Sequence, residues 1–286
     1  MKYLLSLLLC AFLYTLTINA QQLENSTLWK ISGNGLEKPS YLFGTIHITC
    51  DATLDDDVKK ALDETTQLVL ELDMDDPTMQ TKLMKGMYMK DGKTLKDYVS
   101  VEEYAAIDSL FTNQAGMSIS MMQNIKPFFL TSMLYPKMID CPMQSYEIEL
   151  MKVAKEQNEE VNGLETIEDQ LQVFDTIPYE DQVIDLIRMA KDNLAYDKAT
   201  FSKLLDIYEK EDISAMLEMI DDDKNQTIAK HQDVLLKNRN NNWIPRIEEY
   251  SKEQSTFFGV GAGHLAGENG VIMLLRKAGY TIVPVK

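Results

Sequence analysis

The chain has 286 residues, 45 % of them hydrophobic, and carries 45 acidic against 28 basic residues for a formal net charge of −17. That balance argues against nucleic acid or an anionic membrane surface as the main partner, because phosphate binding needs clustered Lys and Arg. The length is enough to bury a full core and suits one large domain, with or without an insertion.

Residues 1–20 read as a removable signal peptide: a basic start at Met1-Lys2, an apolar run over 4–16, and Thr17-Ile-Asn-Ala20 as a cleavage site before Gln21. The mature chain, 21–286, is then expected to be exported, periplasmic or extracellular, and no later segment is long and apolar enough to span a bilayer. Removing the leader leaves Cys50 and Cys141. In an oxidising compartment a single disulfide is their simplest pairing.

In chain order, residues 28–31 and 41–46 form an expected antiparallel pair around Gly33-Asn34-Gly35, followed by a helix over 54–65 that starts at Asp55-Asp56-Asp57. Residues 67–72 make a short apolar run between acids, a buried strand ending in Glu71-Leu72-Asp73. A large insertion over about 78–158 reads as helical almost throughout, with spacers at Asp91-Gly92, Asn113 to Gly116 and Cys141-Pro142, and its methionines as flexible core filler. A brief strand at 160–164 runs into Glu165, and Thr166 with Asp169 resembles a capping box. Further helices follow to about residue 250, with Pro245 expected to break or kink the last of them. The chain ends in strand, Gly-rich turn, helix and strand. This gives an α/β fold: a small mixed sheet built from N- and C-terminal segments with a large helical insertion.

Two of the three histidines occupy the same local frame, a strand running into Gly-x-x-His: Gly44 to His47 and Gly261 to His264. Glycine there would let the backbone bend tightly and approach whatever the imidazole holds. Glu71 and Glu165 each end a strand, where α/β folds tend to place ligand-binding groups. Arg239 shares a helical stripe with Ile228 and Leu235, and a buried cation needs a partner. Asn240 projects from a different helical face and carries less weight. His231 has no glycine turn and reads as a surface or satisfied histidine. Two imidazoles with one or two carboxylates suit a divalent metal, Mn, Co or Zn, with a position left for water.

Phe43-Gly-Thr-Ile-His47, Glu71-Leu-Asp73, Gly163-Leu-Glu-Thr-Ile-Glu-Asp-Gln170, Arg239-Asn240 before Trp243, and Val260-Gly-Ala-Gly-His-Leu-Ala-Gly267 together resemble the TraB/GumN family, which includes the TIKI metalloproteases. The resemblance implies an erythromycin-esterase/ChaN-like α/β core with both histidines and the acids facing one cleft. It also implies a metal-dependent hydrolase with a peptide or protein substrate. His47, Glu165 and His264 would hold the ion, Glu71 would take a proton from water or exchange roles with Glu165, and Arg239 would offset negative charge. A non-catalytic envelope protein that binds metal, haem or peptide in the same cleft is the competing class. Nothing in the sequence fixes the oligomeric state.

Overall fold

A computed structural model describes residues 23–222 and 227–286. The expected leader lies outside them. Six strands form one sheet: β1 (Leu28–Gly33), β2 (Ser40–Thr45), β3 (Gln67–Leu72), β4 (Glu160–Glu165), β5 (Phe257–Gly261) and β6 (Tyr280–Pro284), in the order β4-β3-β5-β2-β1-β6. The four strands β4, β3, β5 and β2 run parallel, with Thr45 level with Gly261 and Leu72 level with Glu165. At the other edge β1 is antiparallel to both β2 and β6. The β1–β2 pair is the hairpin expected from the Gly33 to Gly35 turn.

The parallel strands are apolar at consecutive positions because both faces of the sheet are covered. On one face Phe43, Leu68, Leu70 and Phe257 pack against α1 (Asp56–Asp63) and, at the end of the insertion, α5 (Tyr146–Gln157). On the other, Leu42, Val69, Phe258 and Val260 meet residues of α9 (Ile213–Asp222), α11 (Asn238–Glu253) and α12 (Val271–Lys277). Asp56 and Asp57 lie in the first turn of α1 as expected, and Asp55 is its N-cap.

The insertion is less continuously helical than its sequence reads. It holds α2 (Met79–Gly86), α3 (Val101–Ala115) and α4 (Pro127–Leu134) ahead of α5, separated by irregular stretches. Asp91 and Gly92 both take positive φ, a bridge joins Tyr88 to Ile125, and Pro127 opens α4 from outside a helix. Several of its methionines are exposed rather than core, Met121 at 74 % and Met84 at 53 % among them. Helices α3 and α4 share a separate apolar core with α7 (Tyr179–Asp192), built on Phe111, Leu130 and Leu186. Between β4 and α9 the chain also forms α6 (Ile167–Thr176), opened by the expected Thr166–Asp169 capping box, and α8 (Ala195–Tyr208).

Pro245 does not break its helix; it lies inside α11. The irregularity falls earlier. After the short α10 (Thr227–Lys230), residues Asp233–Lys237 form a π-helical turn that runs directly into α11, and Arg239 lies two residues beyond it. His231 sits at the bend between them, not within a helix, and its Nε2 lies 2.9 Å from Asp181.

Cys50 and Cys141 are disulfide-bonded, with Cα atoms 5.6 Å apart across a sequence separation of 91. The bridge fastens the segment after β2 to the segment before α5. Backbone hydrogen bonds between Thr49 and Gln144 continue the junction.

Candidate active site

The parallel strands β2 and β5 are neighbours, so the two Gly-x-x-His turns leave the sheet side by side at its C-terminal edge. The glycines act by allowing close approach, since neither Gly44 nor Gly261 has positive φ. A methyl group on Gly44 would come within 2.6 Å of Leu265 and 3.1 Å of Ala262, so a bare α-carbon lets the second turn pack on the first. A methyl group on Gly261 would stand 3.2 Å from Glu71 Oε1, 3.6 Å from His47 Nε2 and 3.7 Å from His264 Cδ2. Side chains from β3 and both turns therefore converge on one empty cradle over Gly261.

Each ring is oriented through its Nδ1. His47 Nδ1 lies 2.8 Å from Glu147 Oε1, at the start of α5, and Thr45 and Ser145 hydroxyls donate to the same carboxylate. The His47 side chain keeps 66 % of its surface open to the cleft. Crowding by protein atoms opposes its charge, but the hydrogen bond and charge of Glu147 prevail and raise it to about 9, while Glu147 falls to about 2. His264 is buried, with Nδ1 2.6 Å from Asn240 Oδ1 and its ring against Trp243. The Asn240 amide is itself oriented, donating from Nδ2 to the carbonyls of His264 and Asn269. Burial, helped by the positive charges of Arg239 and His47 and opposed by Glu71, lowers His264 to about 3. It is a neutral imidazole with Nε2 facing Arg239.

Arg239, 9 % exposed, ties the constellation together. Its Nη2 donates to Glu71 Oε2 at 2.5 Å and Glu165 Oε1 at 2.6 Å, and its Nη1 lies 3.1 Å from His264 Nε2 and donates to the Leu235 carbonyl in the π turn. Burial opposes ionisation of Glu71, yet Arg239, His47 and the Gly261 N–H, 2.8 Å from Oε1, hold its carboxyl well below the usual range. Glu165 receives Arg239 Nε, Gln170 Nε2 and Trp243 Nε1 as well, so hydrogen bonds surround it on the side of Arg239 away from His47.

A cavity of about 510 Å³ opens over this cluster and is lined by His47, Glu71, Arg239, Gly261 and His264. A larger one, about 780 Å³, lies behind Arg239 and reaches Glu165 and Asp73 but neither histidine. The 510 Å³ cavity is the candidate for the chemistry, because there both Gly-x-x-His imidazoles, Glu71 and Arg239 face one space.

The model of the TraB/PrgY/gumN family matches residues 27–284. The chain belongs to that family. Among curated relatives of this TraB/PrgY/gumN protein, Metalloprotease TIKI1 of Danio rerio is 21 % identical over 90 % of this chain and 63 % of the relative. Metalloprotease TIKI2 of Xenopus tropicalis is 22 % identical over 92 % of this chain and 60 % of the relative. Metalloprotease TIKI1 of Homo sapiens is 22 % identical over 93 % and 63 %. The chain thus spans about three fifths of the length of these relatives. No solved structure matches it.

The five residues singled out in the sequence, His47, Glu71, Glu165, Arg239 and His264, lie in one connected cluster of this family member, and two more belong beside them. Glu147 went unnoticed because nothing local marks it. Its signal is the disulfide, since bridging Cys50 to Cys141 carries the residues after 141 towards His47. Asn240 was underrated: the Gly261 to His264 turn packs along the flank of α11, so adjacent residues of that helix both reach it.

A divalent ion can be tested against these donors. Two imidazoles held through Nδ1 by a carboxylate and an amide have the outer contacts that metal-ligating histidines use. The cradle over Gly261 lies between Glu71 and both rings. In chemistry the donors fit. In arrangement Arg239 lies against His264 Nε2, and among the described residues no group of three His, Cys, Asp or Glu is assembled as a metal site.

Proposed function

We propose that this TraB/PrgY/gumN protein is a metal-dependent hydrolase of peptide bonds, exported to the periplasm or the cell exterior. The observation that carries the reading is the convergence of His47, Glu71 and His264 on the cradle over Gly261, with Arg239 beside it. The metalloprotease names of the relatives, the disulfide and the lack of a membrane-spanning helix among the described residues support it.

His47 and His264, each through Nε2, would hold a Mn, Co or Zn ion once it displaces the proton on His47 and the Arg239 N–H on His264. Such an ion polarises the scissile carbonyl and lowers the pKa of water. Glu147 fixes the His47 ring from behind, so that Nε2 points into the cleft. Asn240 accepts from His264 Nδ1, which puts the lone pair on Nε2, where it accepts from Arg239 Nη1 until an ion takes that place. Glu71 keeps Oε2 on Arg239 and presents Oε1 to the cradle, where an ionised carboxylate takes the proton of the attacking water. Arg239 stabilises the oxyanion of the tetrahedral intermediate with a cation already in place before reaction. Glu165 anchors that guanidinium through its Nε and Nη2, is itself held by the Trp243 Nε1–H, and is assigned to positioning Arg239, not to the ion.

The test is reconstitution of the mature protein with Mn, Co and Zn in parallel against a peptide library. Cleavage should appear with one of these ions, vanish with chelator and return on adding the ion back. Tight metal retention with no turnover of any peptide would overturn the hydrolase in favour of a binding protein.

A further inference from the structure

Past His47 the cleft runs into a second cavity of about 310 Å³. Ile46, His47, Tyr135, Leu204 and Ile228 line both this cavity and the space over the cradle, so the two form one cleft. Phe128 and Phe174 line the part over the cradle, stacked on each other with ring centroids 4.0 Å apart. Phe201, Met138 and Met219 line the part beyond His47. All five side chains are only half-buried, as are Tyr135, Leu204 and Ile228. A concave run of large apolar groups with this much surface left open beside a polar cluster has the character of a ligand site rather than of finished core.

The walls also say which apolar group fits. Rings gain from edge-on or offset contact with other rings and from a thioether sulfur at their edge, beyond the area they bury. Phe128, Phe174, Tyr135 and Phe201 supply such rings, and Met138 and Met219 the sulfurs. Phe129 stands edge-on to both Phe128 and Phe174, at 5.8 and 5.6 Å, so that pair is held in place before a ligand arrives. A saturated group of the same size would bury the same area without those contacts. Asp185, Arg188 and Asp197 reach the wall as well, with Arg188 ion-paired to both acids at 2.6 Å. An uncharged ring leaves those pairs as they are.

We propose that this cleft contains an aromatic-selective subsite, which takes the ring of a substrate residue beside the bond held over the cradle. Its role in specificity rests on the hydrolase reading. Its capacity to bind a ring does not.

The test uses the full mature chain labelled at methionine methyls, because Met138 and Met219 line the cavity. It is titrated by NMR with N-acetyl-phenylalanine amide, the cyclohexylalanine analogue in which the ring is saturated, the unbranched norleucine analogue and the alanine analogue. Both methyl signals should shift with the phenylalanine compound. It should bind roughly two- to tenfold tighter than the cyclohexylalanine analogue, the increment expected of aromatic contacts beyond buried area. Over alanine the gain should be roughly tenfold or more. Phe201→Leu, checked by thermal melting, keeps the wall apolar but removes a ring; it should lower the preference for phenylalanine over cyclohexylalanine. If the variant fails to fold, the wild-type comparison decides alone. Equal or tighter binding of cyclohexylalanine or norleucine, no shift at the two methionines, or an unchanged preference in the folded variant would overturn the subsite. Ring-selective binding by a protein that cleaves no peptide would leave the subsite standing and remove the hydrolase. Cleavage without preference for an aromatic residue would do the reverse.

Discussion

Replacing Arg239 by Ala removes the one cation that holds Glu71, Glu165 and His264 together. Glu71 and Glu165 have side chains only 12 % and 8 % exposed. Without the guanidinium each keeps some hydrogen bonds, Gly261 N–H for one and Trp243 and Gln170 for the other, but both buried charges lose their counter-ion. Breaking a buried ion pair from one side costs about 3–5 kcal/mol. For a domain of this size each kcal/mol moves Tm by about 2–4 °C, so the melting point should fall by roughly 6–20 °C. The assay is calorimetry of the protein without added metal, with exposed Arg246→Ala as a control expected within about 0.5 kcal/mol of wild type. Adding Glu165→Gln to Arg239→Ala deletes one stranded charge and should recover part of the loss. A fall below roughly 3 °C for Arg239→Ala, or no recovery in the double variant, would refute the claim that this guanidinium compensates buried carboxylates.

Three further outcomes are expected. His47 titrates near 9 in the fold against 6.5 unfolded, so its pairing with Glu147 stabilises fully below pH 6.5 and is lost as pH rises through 9. With its ring largely open to solvent the effect is discounted to about 1 kcal/mol, and Glu147→Gln should flatten that part of the stability profile; an unchanged slope would exclude the pairing. Replacing Cys50 and Cys141 together by Ser should lower stability by up to roughly 4–5 kcal/mol in denaturant curves, the chain-entropy cost of a loop this long, and should reduce hydrolysis because Glu147 lies just beyond the bridge. His264→Ala should lower hydrolysis by about 100-fold or more while His231→Ala leaves it nearly intact, and equal activities in the two variants would remove His264 from the mechanism.

Legibility followed how strongly each constraint is written in neighbouring residues. Strand β3 was bounded correctly at Gln67 and Leu72 because a strand covered on both faces is a continuous apolar run between polar ends. The paired Gly-x-x-His turns were visible as a repeated pattern. Their glycines, though, are required by side chains of other segments, Leu265 against Gly44 and the cradle against Gly261, which no local turn rule contains. Breaks in the insertion at Asp91-Gly92, Asn113 to Gly116 and Cys141-Pro142 were legible from their turn residues, but composition gave little sign that the first runs from Met87 to Ser100 or that α4 starts afresh at Pro127. Glu147 and Asn240 were missed or underrated for one shared reason: each acts on a histidine about a hundred or about twenty-five residues away, and only tertiary packing brings them there.

The adjacency of β2 and β5 also sets an order of events. His47 is synthesised more than two hundred residues before His264, and neither turn has its neighbour until both strands lie in the sheet. A nascent or truncated chain that ends before Phe257 carries His47 but no second ring, no Gly261 cradle and no strand to hold β2 and β3 at their final spacing. The cluster of His47, Glu71, Arg239 and His264 is therefore withheld until β5 has joined the sheet and closed it across the middle.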